Sequence, residues 1–473
     1  MGYYLGIDLG TSYFKAGIFN EHGNLAGLGH CFVNKQAGEG GICELSIVDF
    51  WGTLHECIDQ AIEKAEIASN ELVAVSYSSQ ANSFVLLDET DTPLTPLILW
   101  PDERAGQVPP ALQALLENRD FLKKTGLGIL PGVHSMAAKI AWFQKHKPET
   151  WEKVNSIASI SDYLTFSLTG QKVSDFSTSS MTGLLDVPGE RWWDEALEAL
   201  NISAKLLFSP KRTGSFIDPL IGKGTKSLGL SANTNFFLGG LDHHVVAVGA
   251  GLPNSVNVSE STGTVLACVN YRQGFHPREG INVAPGLKEG YYFQMAFDEN
   301  GAMALEWYQK KFAPELSIEE LLKMAEGIAP GSDGLKASPC AYKLASFSGF
   351  QNVTNKHSHG HFVRAILEST ALSLRELAFS LDKENVSEAF IASGGGARSL
   401  LWVQVKADIL NKVFIVPECS ELACQGAALI GATGNFQRKG NEVPFGRQAR
   451  YAQLINPNPE NEGKYQFENK TIV

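Results

Sequence analysis

The residues near the amino terminus that could do chemistry are a carboxylate and a short polar turn. Asp8 ends an apolar run, where a carboxylate is tolerated at a strand end that faces solvent or a metal. The turn of Gly10, Thr11 and Ser12 follows, and Lys15 adds a positive charge. Glycine lets the backbone approach a phosphate closely, and the amides and hydroxyls of the turn can donate to it. The spacing predicts a phosphate site; the alternative is an ordinary turn, because short glycine motifs recur by chance.

The elements around these residues are predicted from apolar runs. Residues 3–19 hold two runs around the turn, which indicates a β-hairpin, and residues 257–269 repeat that pattern around a Ser-Thr-Gly-Thr turn. A further apolar strand, residues 236–240, ends in two glycines and is followed by Asp242, a second carboxylate at a strand end. Two similar hairpins about 250 residues apart predict two related α/β domains with a nucleotide site in a cleft between them.

The other predicted elements support an α/β chain with a long irregular segment between its strands. In chain order they are a helix over 49–65 with Asp49 as N-cap, strands over 71–79 and 83–88, an irregular and mostly helical segment over 109–209, a helix over 361–381, a strand over 386–393, a glycine turn over 394–396, a helix over 399–410 capped by Ser399, and a helix over 421–433. Residues 437–473 are polar and lack periodicity, so no function is assigned to them.

Length and composition narrow the class of protein. The chain has 473 residues, of which 44% are hydrophobic and 19% charged, so it can bury two large cores. Its formal charge of -12 argues against a general nucleic-acid or anionic-membrane surface and favours a small-molecule substrate. Seven scattered cysteines without a C-x-x-C pair are typical of reduced thiols. With no leader-like start and no run of about 18 apolar residues, a cytoplasmic protein is expected.

Several common motifs are absent from the sequence. There is no G-x-x-x-x-G-K-[ST] loop, no strand-linked G-x-G-x-x-G and no G-x-S-x-G elbow. The histidine-rich residues 356–361 favour a solvated helix entry over a metal site, since no cysteine or carboxylate stands at the usual spacing. His243, next to Asp242, either contacts substrate or caps a helix. Two carboxylates also suggest glycoside hydrolysis, but that reaction needs no phosphate-sized hairpins, so phosphoryl transfer is favoured.

Taken together, these motifs resemble the FGGY family of carbohydrate kinases, members of the actin-like ATPase superfamily that phosphorylate sugars with ATP. The resemblance covers residues 2–436 and rests on six segments in the family's order: Gly6 to Ser12, Trp100 to Arg104, Gly239 to Asp242, Ser261 to Thr264, His361 to Glu368, and Gly394 to Gly396. It implies two actin-like (ribonuclease H-like) α/β domains with a cleft between them, over residues 1–250 and 251–436, followed by a tail over 437–473.

The resemblance also implies roles for individual residues. Asp242 would be the catalytic base, and Asp8 with Asp242 would hold Mg²⁺. The residues implied around the phosphates of ATP are Gly10, Thr11, Ser12, Lys15, Thr262, Gly263 and Thr264. Those implied for the adenosine pocket are Gly394, Gly395, Gly396 and Ala397. Because water competes with the sugar as acceptor, sugar binding is expected to promote closure, and ATP hydrolysis without sugar is expected to be slow.

The resemblance defines the sugar that accepts the phosphoryl group less narrowly. Asp102 and Arg104 match the W-x-D-x-R segment of pentulose and gluconate kinases, which implies that they contact or organise the site of an open-chain polyhydroxy acceptor. Within the family, the sequence is most similar to xylulose kinase-like members. Where xylulose kinases usually have Met-His-Gly this chain has Ala81-Asn82-Ser83, and His243 replaces their Asn. The acceptor therefore stays open between a pentulose such as xylulose and another ketose, polyol or sugar acid.

Two other classes of function are also left open by the sequence. A non-catalytic sugar or nucleotide sensor would keep the two domains without transfer, and a chaperone-like ATPase would act on protein partners. The oligomeric state is also open, with a homodimer among the options.

Overall fold

The computed structural model describes residues 2–221, 223–255, 257–440, 451–461 and 463–465. These residues form two units that are not continuous along the chain. The first unit contains Met1–Asn254, Tyr271–Gln294 and Glu421–Ala449, and the second contains Ser255–Asn270, Met295–Ser420 and Arg450–Val473. Within the described ranges, no helix is long and apolar enough to cross a membrane.

The strands of the described residues are, in chain order, β1 Tyr3–Leu9, β2 Tyr13–Phe19, β3 Leu25–Phe32, β4 Gln36–Gly38, β5 Ile42–Leu45, β6 Leu72–Ser79, β7 Phe84–Leu87, β8 Leu97–Ile98, β9 Ser156–Ser159, β10 Val173–Asp175, β11 Leu185–Asp186, β12 Arg191–Trp192, β13 Ser209–Lys211, β14 Phe216–Pro219, β15 Asn235–Phe237, β16 Gly240–Leu241, β17 Val258–Thr262, β18 Leu266–Gln273, β19 Asn282–Pro285, β20 Tyr291–Asp298, β21 Lys336–Ala337, β22 Phe350–Gln351, β23 Ala389–Ser393, β24 Val413–Pro417 and β25 Tyr451–Ile455.

The α-helices of the same residues are α1 Ile47–Ala65, α2 Pro110–Leu116, α3 Phe121–Thr125, α4 Met136–His146, α5 Pro148–Trp151, α6 Ile160–Thr169, α7 Phe176–Ser180, α8 Asp194–Ala199, α9 Lys223–Ser227, α10 Asp242–Gly249, α11 Met303–Phe312, α12 Ile318–Glu326, α13 His359–Leu381, α14 Leu400–Leu410 and α15 Leu422–Arg438.

The main sheet of the first unit has the order β14-β15-β6-β1-β2-β3, and β16 also pairs with β6. β1 and β2 form the predicted antiparallel hairpin, while β1, β15 and β16 all run parallel to β6. The helix α15 packs on β1 so closely that an added Cβ on Gly6 would lie 1.9 Å from the carbonyl oxygen of Cys424. A second, five-stranded sheet has the order β4-β5-β8-β7-β9. The carboxyl ends of several parallel strands therefore meet at one edge of the main sheet.

The sheet of the second unit repeats this arrangement. β17 and β18 form an antiparallel hairpin, and β23 runs parallel to β17 as β6 runs parallel to β1. β24 continues the sheet in parallel, and β25 closes it in antiparallel orientation. The helices α13 and α14 pack against each other in the same unit. Each unit thus contains a hairpin whose first strand pairs with a later parallel strand.

Most of the predicted elements are found within a few residues of their expected bounds, and the differences have local causes. α1 begins at Ile47 with Ser46 as its N-cap, so the prediction of Asp49 as N-cap was wrong: the Ser46 hydroxyl accepts from the Asp49 amide. Ser399 caps α14 as predicted. The strand expected over 236–240 is divided into β15 and β16. β25 was not predicted in the tail, of which residues 441–450, 462 and 466–473 lie outside the described residues.

Candidate active site

The first hairpin places Asp8 near the carboxyl end of β1, at the end of the main sheet where its parallel strands terminate. Asp8 stands opposite Lys15 in the hairpin and beside Ser78 of β6, whose hydroxyl donates to the Asp8 carboxylate at 2.9 Å. Burial raises the pKa of Asp8 to about 6; the positive charge of Lys15 lowers it, and the negative charge of Asp242 raises it further. Lys15 is itself paired with Glu421 at 2.7 Å. Its ammonium is therefore already neutralised by a neighbouring carboxylate.

Asp242 lies at the same edge, at the start of α10. Its strand β16 pairs with β6 so that Gly240 stands beside Ser78, the residue that Asp8 also flanks. β6 thus lies between the two carboxylates: Asp8 is the last residue but one of β1, and Asp242 directly follows β16, and both strands run parallel to β6. The structure brings together the two residues that the sequence predicted, although they are 234 positions apart. Asp242 is half-buried, and its carboxylate accepts from the His243 amide at 2.8 Å.

The two histidines after Asp242 differ in environment. His243 is half-buried, whereas His244 is buried, stacks on Phe293 with ring centroids 4.6 Å apart, and shares a 2.8 Å hydrogen bond with Ser177. Burial, with His243 adding to it, lowers the pKa of His244 to about 3, so this ring is neutral. The same Ser177 hydroxyl accepts from the Leu241 amide and helps to fix the start of α10.

The turn between β1 and β2 contacts the two loops that contain the predicted acceptor residues. The hydroxyl of Thr11 accepts from the indole nitrogen of Trp100 at 2.7 Å. Gln80, which the sequence analysis did not select, donates from its amide to the carbonyls of Leu9 and Gly10, both at 3.3 Å. Gly10 is required here because an added Cβ would lie 2.6 Å from the carbonyl oxygen of Tyr13. Ser12 is exposed in the same turn.

Asp102 and Arg104 form a buried ion pair. Asp102 is 0% exposed and accepts from both the Nε and Nη2 of Arg104 at 2.8 Å, as well as from the Cys43 amide. Arg104 also pairs with Glu44 and lies over the rings of Trp142 and Phe143. Burial alone would raise the pKa of Asp102, but these hydrogen bonds lower it overall. This geometry favours a role for Asp102 and Arg104 in organising the acceptor site over a direct contact with the acceptor.

Asn82 is also engaged with the protein. Its backbone has a left-handed φ of 59°, which asparagine tolerates better than most residues. Its side-chain oxygen accepts from the Met136 amide at 3.0 Å, and its side-chain nitrogen donates to the Met181 carbonyl at 3.4 Å. The neighbouring Ala81, which was predicted to contact the substrate, is half-buried and has only a small apolar side chain.

The second unit brings its hairpin and its glycine turn together. Gly394 has a φ of 75°, and an added Cβ on it would lie 2.8 Å from the carbonyl oxygen of Thr262. The other predicted turn residues are Gly395, which is exposed, Gly396, which is buried, and Ala397, which is half-buried. Gly394 needs the conformational freedom of glycine because of both its φ and this close approach.

Thr262 points its hydroxyl into the protein. That hydroxyl donates to Glu260 at 2.9 Å and accepts from the ammonium of Lys406 at 2.8 Å, and the side chains of Glu260 and Lys406 are both 0% exposed. The next residues of the turn differ, since Gly263 is half-buried and Thr264 is exposed. The hairpin therefore rests on a buried ion pair that the sequence analysis did not identify.

The histidine-rich segment forms the entry of α13. The ring of His361 accepts from the Ser358 amide at 3.1 Å, and the ring of His357 accepts from the Thr354 amide at 3.1 Å. His359 shares a hydrogen bond with Tyr308 at 2.8 Å. Within the described residues, no cluster of three or more potential ligands for a metal is found. The segment acts as a helix entry, as predicted.

Comparisons with known proteins identify the family. Residues 3–249 match the model of the FGGY family of carbohydrate kinases, N-terminal domain, and residues 336–434 match the C-terminal domain of the same family. The chain belongs to the FGGY family of carbohydrate kinases. It is therefore a sugar phosphotransferase, and the alternative of an ATPase that acts on protein partners is discarded.

Full-length relatives agree with this assignment. The chain is 30% identical to a xylulose kinase of Lactococcus lactis subsp. lactis (strain IL1403), over 98% of this chain and 95% of the relative. It is 27% identical to a gluconokinase of Bacillus subtilis (strain 168), over 92% and 88%. A crystal structure of ligand-bound xylulose kinase from Lactobacillus acidophilus has a TM-score of 0.84 at 22% identity, covering 98% of this chain and 96% of that one. The predicted actin-like α/β fold is confirmed.

Proposed function

We propose that this kinase transfers the γ-phosphoryl group of ATP to a hydroxyl of a small neutral sugar, such as the pentulose xylulose, with Asp242 as general base. The observation that carries the proposal is the pair of carboxylates, Asp8 and Asp242, on the two sides of β6 at one edge of the sheet. Phosphoryl transfer depends mainly on positioning and on charge stabilisation, and carboxylates at such an edge can supply both a base and ligands for a cation.

Asp242 is suited to the base role because it is half-buried at the start of a helix and is close enough to Asp8 for their charges to interact. As the sugar oxygen forms its bond to the γ-phosphorus, the hydroxyl proton passes to the Asp242 carboxylate and ADP leaves with the electron pair of the broken O–P bond. His243 lies beside the base and is proposed as a contact for the acceptor. Asp242 would then be the one charged group to change protonation during transfer.

The donor set at Asp8 and Asp242 fits Mg²⁺. Magnesium prefers oxygen ligands and keeps several waters, and two neighbouring carboxylates with the Ser78 hydroxyl provide oxygen atoms only. The mutual repulsion that contributes to the raised pKa of Asp8 is the repulsion a divalent cation would relieve. When bound, Mg²⁺ would neutralise charge on the phosphates. Asp8 is proposed as the principal holder of the ion and Asp242 as the second.

The backbone of two turns is proposed to bind the phosphates of ATP. In the first unit, the turn of Gly10 to Ser12 is proposed to bind phosphate through its amides. In the second unit, the turn of Thr262 to Thr264 is proposed for the same role, with the Gly263 amide already donating to the Val265 carbonyl at 3.2 Å, and Gly394 to Ala397 are proposed to line the adenosine pocket. Since the Thr262 hydroxyl and the Lys15 ammonium are already paired, Thr262 is expected to act through its amide and Lys15 through its charge at a distance.

A neutral acceptor is favoured over a sugar acid by the pairing of Arg104. A sugar carboxylate needs a cationic partner, and the guanidinium of Arg104 is already bound to both Asp102 and Glu44. The group of three therefore carries a net negative charge, which repels a further carboxylate. Relatives named xylulose kinase and gluconokinase leave both acceptor classes open, and the buried ion pair supports the first.

The scattered, unpatterned cysteines support a cytoplasmic location as part of the same proposal.

The proposal is tested by a coupled ADP-release screen over pentuloses, hexuloses, polyols and aldonates, run on the wild type and on Asp242→Asn. We expect turnover with a pentulose, little with gluconate, and a loss in kcat of about 10²–10⁴-fold in Asp242→Asn. Sugar binding measured by calorimetry should persist in that variant because its shape is kept. Asp194→Asn, at an exposed carboxylate, is the matched control and should turn over like the wild type. Unchanged turnover in Asp242→Asn would remove the base role.

A further inference from the structure

Lys139 in α4 is a fully buried lysine that the proposed chemistry does not use. Its side chain is 0% exposed, and its nitrogen donates to the carbonyl oxygens of Asn82 and Leu99, both at 2.9 Å. A lysine is almost never fully buried unless its polar head is satisfied, and burial costs several kcal/mol otherwise. Two loops that are separated in sequence therefore meet at one side-chain nitrogen.

The two carbonyls belong to the loops in which the acceptor residues were predicted. The loop of residues 80–83 contains Ala81 and Asn82, and the loop of residues 99–104 begins at Leu99 and contains Trp100 and the Asp102 ion pair. Trp100 in turn donates to Thr11 of the first hairpin. A single nitrogen thus holds both of the predicted acceptor loops.

The amino-terminal turn of α4 holds the first loop at a second point. The Met136 amide donates to the side-chain oxygen of Asn82 at 3.0 Å, while Lys139, one turn further on, holds the backbone carbonyl of the same residue. With a left-handed φ of 59°, Asn82 occupies a conformation that needs such outside support. The helix therefore fixes both the side chain and the backbone of Asn82.

The electrostatic setting is consistent with a holding role. Burial lowers the pKa of Lys139 to about 7, with Asp102 raising it and Arg104 lowering it. A neutral amine still has two N–H groups, one for each carbonyl, so both hydrogen bonds survive the loss of the proton. The role of Lys139 therefore depends on its length and donors more than on its charge.

We infer that Lys139 is a positioning residue for the acceptor: it sets the spacing of loops 80–83 and 99–104 without touching the substrate. This inference rests on the proposed function, because it assumes that the two loops line the acceptor site. Misplacing loops that orient a reactant is costly, since about 1 Å of displacement can reduce the rate by about 10²-fold.

Lys406 in the second unit provides a matched comparison. It is equally buried, and its nitrogen bonds Glu260 and Thr262 beneath the second hairpin, on the nucleotide side of the proposed reaction. If both lysines are positioning residues, each substitution should affect the KM of one substrate only. Lys139→Met is expected to raise the acceptor KM by about tenfold or more and to change the KM for ATP less than about twofold. Lys406→Met is expected to do the reverse.

The kinetic test uses the full chain, with the acceptor that gives the best wild-type turnover in the screen. Lys139→Arg keeps donors for the carbonyls but differs in shape, so it should raise the acceptor KM less than Lys139→Met does. It also serves as the test variant if Lys139→Met does not fold. An unchanged acceptor KM in the folded Lys139 variants, or an equal rise in both KM values, would overturn the inference.

Hydrogen–deuterium exchange without substrate separates this inference from the proposed function. Faster exchange is expected at the amides of residues 80–83 and 99–104 in the Lys139 variants and not in Lys406→Met. Exchange as slow as in the wild type would overturn the positioning role whichever sugar is used. Failure of the proposed function, by contrast, would show in the wild type itself as an absence of sugar phosphorylation.

Discussion

Asp162 and Asp175 are buried carboxylates that the proposed reaction does not use. Asp162 forms a capping box with Ser159 at the start of α6, and Asp175 caps α7 and accepts from the Tyr77 hydroxyl at 2.9 Å. Burial raises the pKa of Asp162 to about 7, with the charge of Asp175 adding to it, and burial raises the pKa of Asp175 to about 6. These two carboxylates affect the stability of the fold, and their effect depends on pH.

The sign of that dependence follows from proton counts. Between about pH 4 and pH 7 the folded protein binds more protons at these carboxyls than the unfolded chain does, so the free energy of unfolding falls as pH rises through this window. Asp162→Asn can still cap the helix but has no proton to lose. We expect the unfolding free energy of this variant to fall less than that of the wild type between pH 4 and pH 8. The two decreases, measured by urea denaturation, should differ by up to about 4 kcal/mol. Asp194→Asn, at an exposed site, should keep the wild-type slope; an equal slope in Asp162→Asn would contradict the prediction.

At the scale of single residues, the sequence identified the carboxylates but not their partners. Asp8 and Asp242 could be selected because the first ends an apolar run and the second directly follows an apolar strand, and the register of β6 explains why they meet. Arg104 and Thr262 each have one partner two positions away, but Glu421, Glu44 and Lys406, which pair with Lys15, Arg104 and Thr262 respectively, lie 60 to 406 positions away, so no local pattern reveals them. One signal was present at Lys139, which interrupts an otherwise apolar helical run, AAKIAW.

At the scale of elements, periodic segments were predicted well because their apolar spacing reflects the core they face. α1, α13 and α14 were found with small shifts, since the burial that stabilises them also sets their pattern. β16 has two residues and β25 is mostly exposed, so both strands form only because they pair with strands distant in sequence. The close packing of α15 on β1 was likewise invisible in sequence, although the alanine- and glycine-rich composition of the helix permits it.

Gly6 tests that packing. Its substitution by alanine would place a Cβ 1.9 Å from the backbone oxygen of Cys424, so β1 or α15 must move. We expect Gly6→Ala to lower the free energy of unfolding by about 3 kcal/mol or more, or to yield insoluble protein. Gly52→Ala is the control: Gly52 is an exposed glycine in α1 with no atom within 4 Å of an added Cβ. It should be neutral or stabilising by up to about 1 kcal/mol. Equal denaturation midpoints for the two variants would contradict the packing argument.

At the scale of the whole molecule, the proposed roles are divided between the units. Asp8, Asp242 and the acceptor loops belong to the first unit, while the second hairpin and the glycine turn belong to the second. The repeated hairpin pattern predicted two domains, and the roles of their residues, which the family resemblance implied, stay predictions. The predicted limits at residues 250 and 436 stay predictions. Residues 271–294 and 421–440 belong to the first unit although they come after residue 250, because contacts with residues distant in sequence hold them there.

If the roles are divided between the units, ATP should be hydrolysed only slowly when no sugar is present. Water is a small and abundant competitor for the γ-phosphoryl group, and a kinase limits that loss when its reactive arrangement forms only after the acceptor binds. We expect ADP release without sugar to be about 100-fold slower than with a saturating pentulose, measured in one coupled assay. Asp242→Asn should abolish the stimulated rate and leave the basal rate low. A sugar-independent ATPase as fast as the sugar-dependent reaction would contradict the prediction, because the groups for transfer would then be assembled before the sugar arrives.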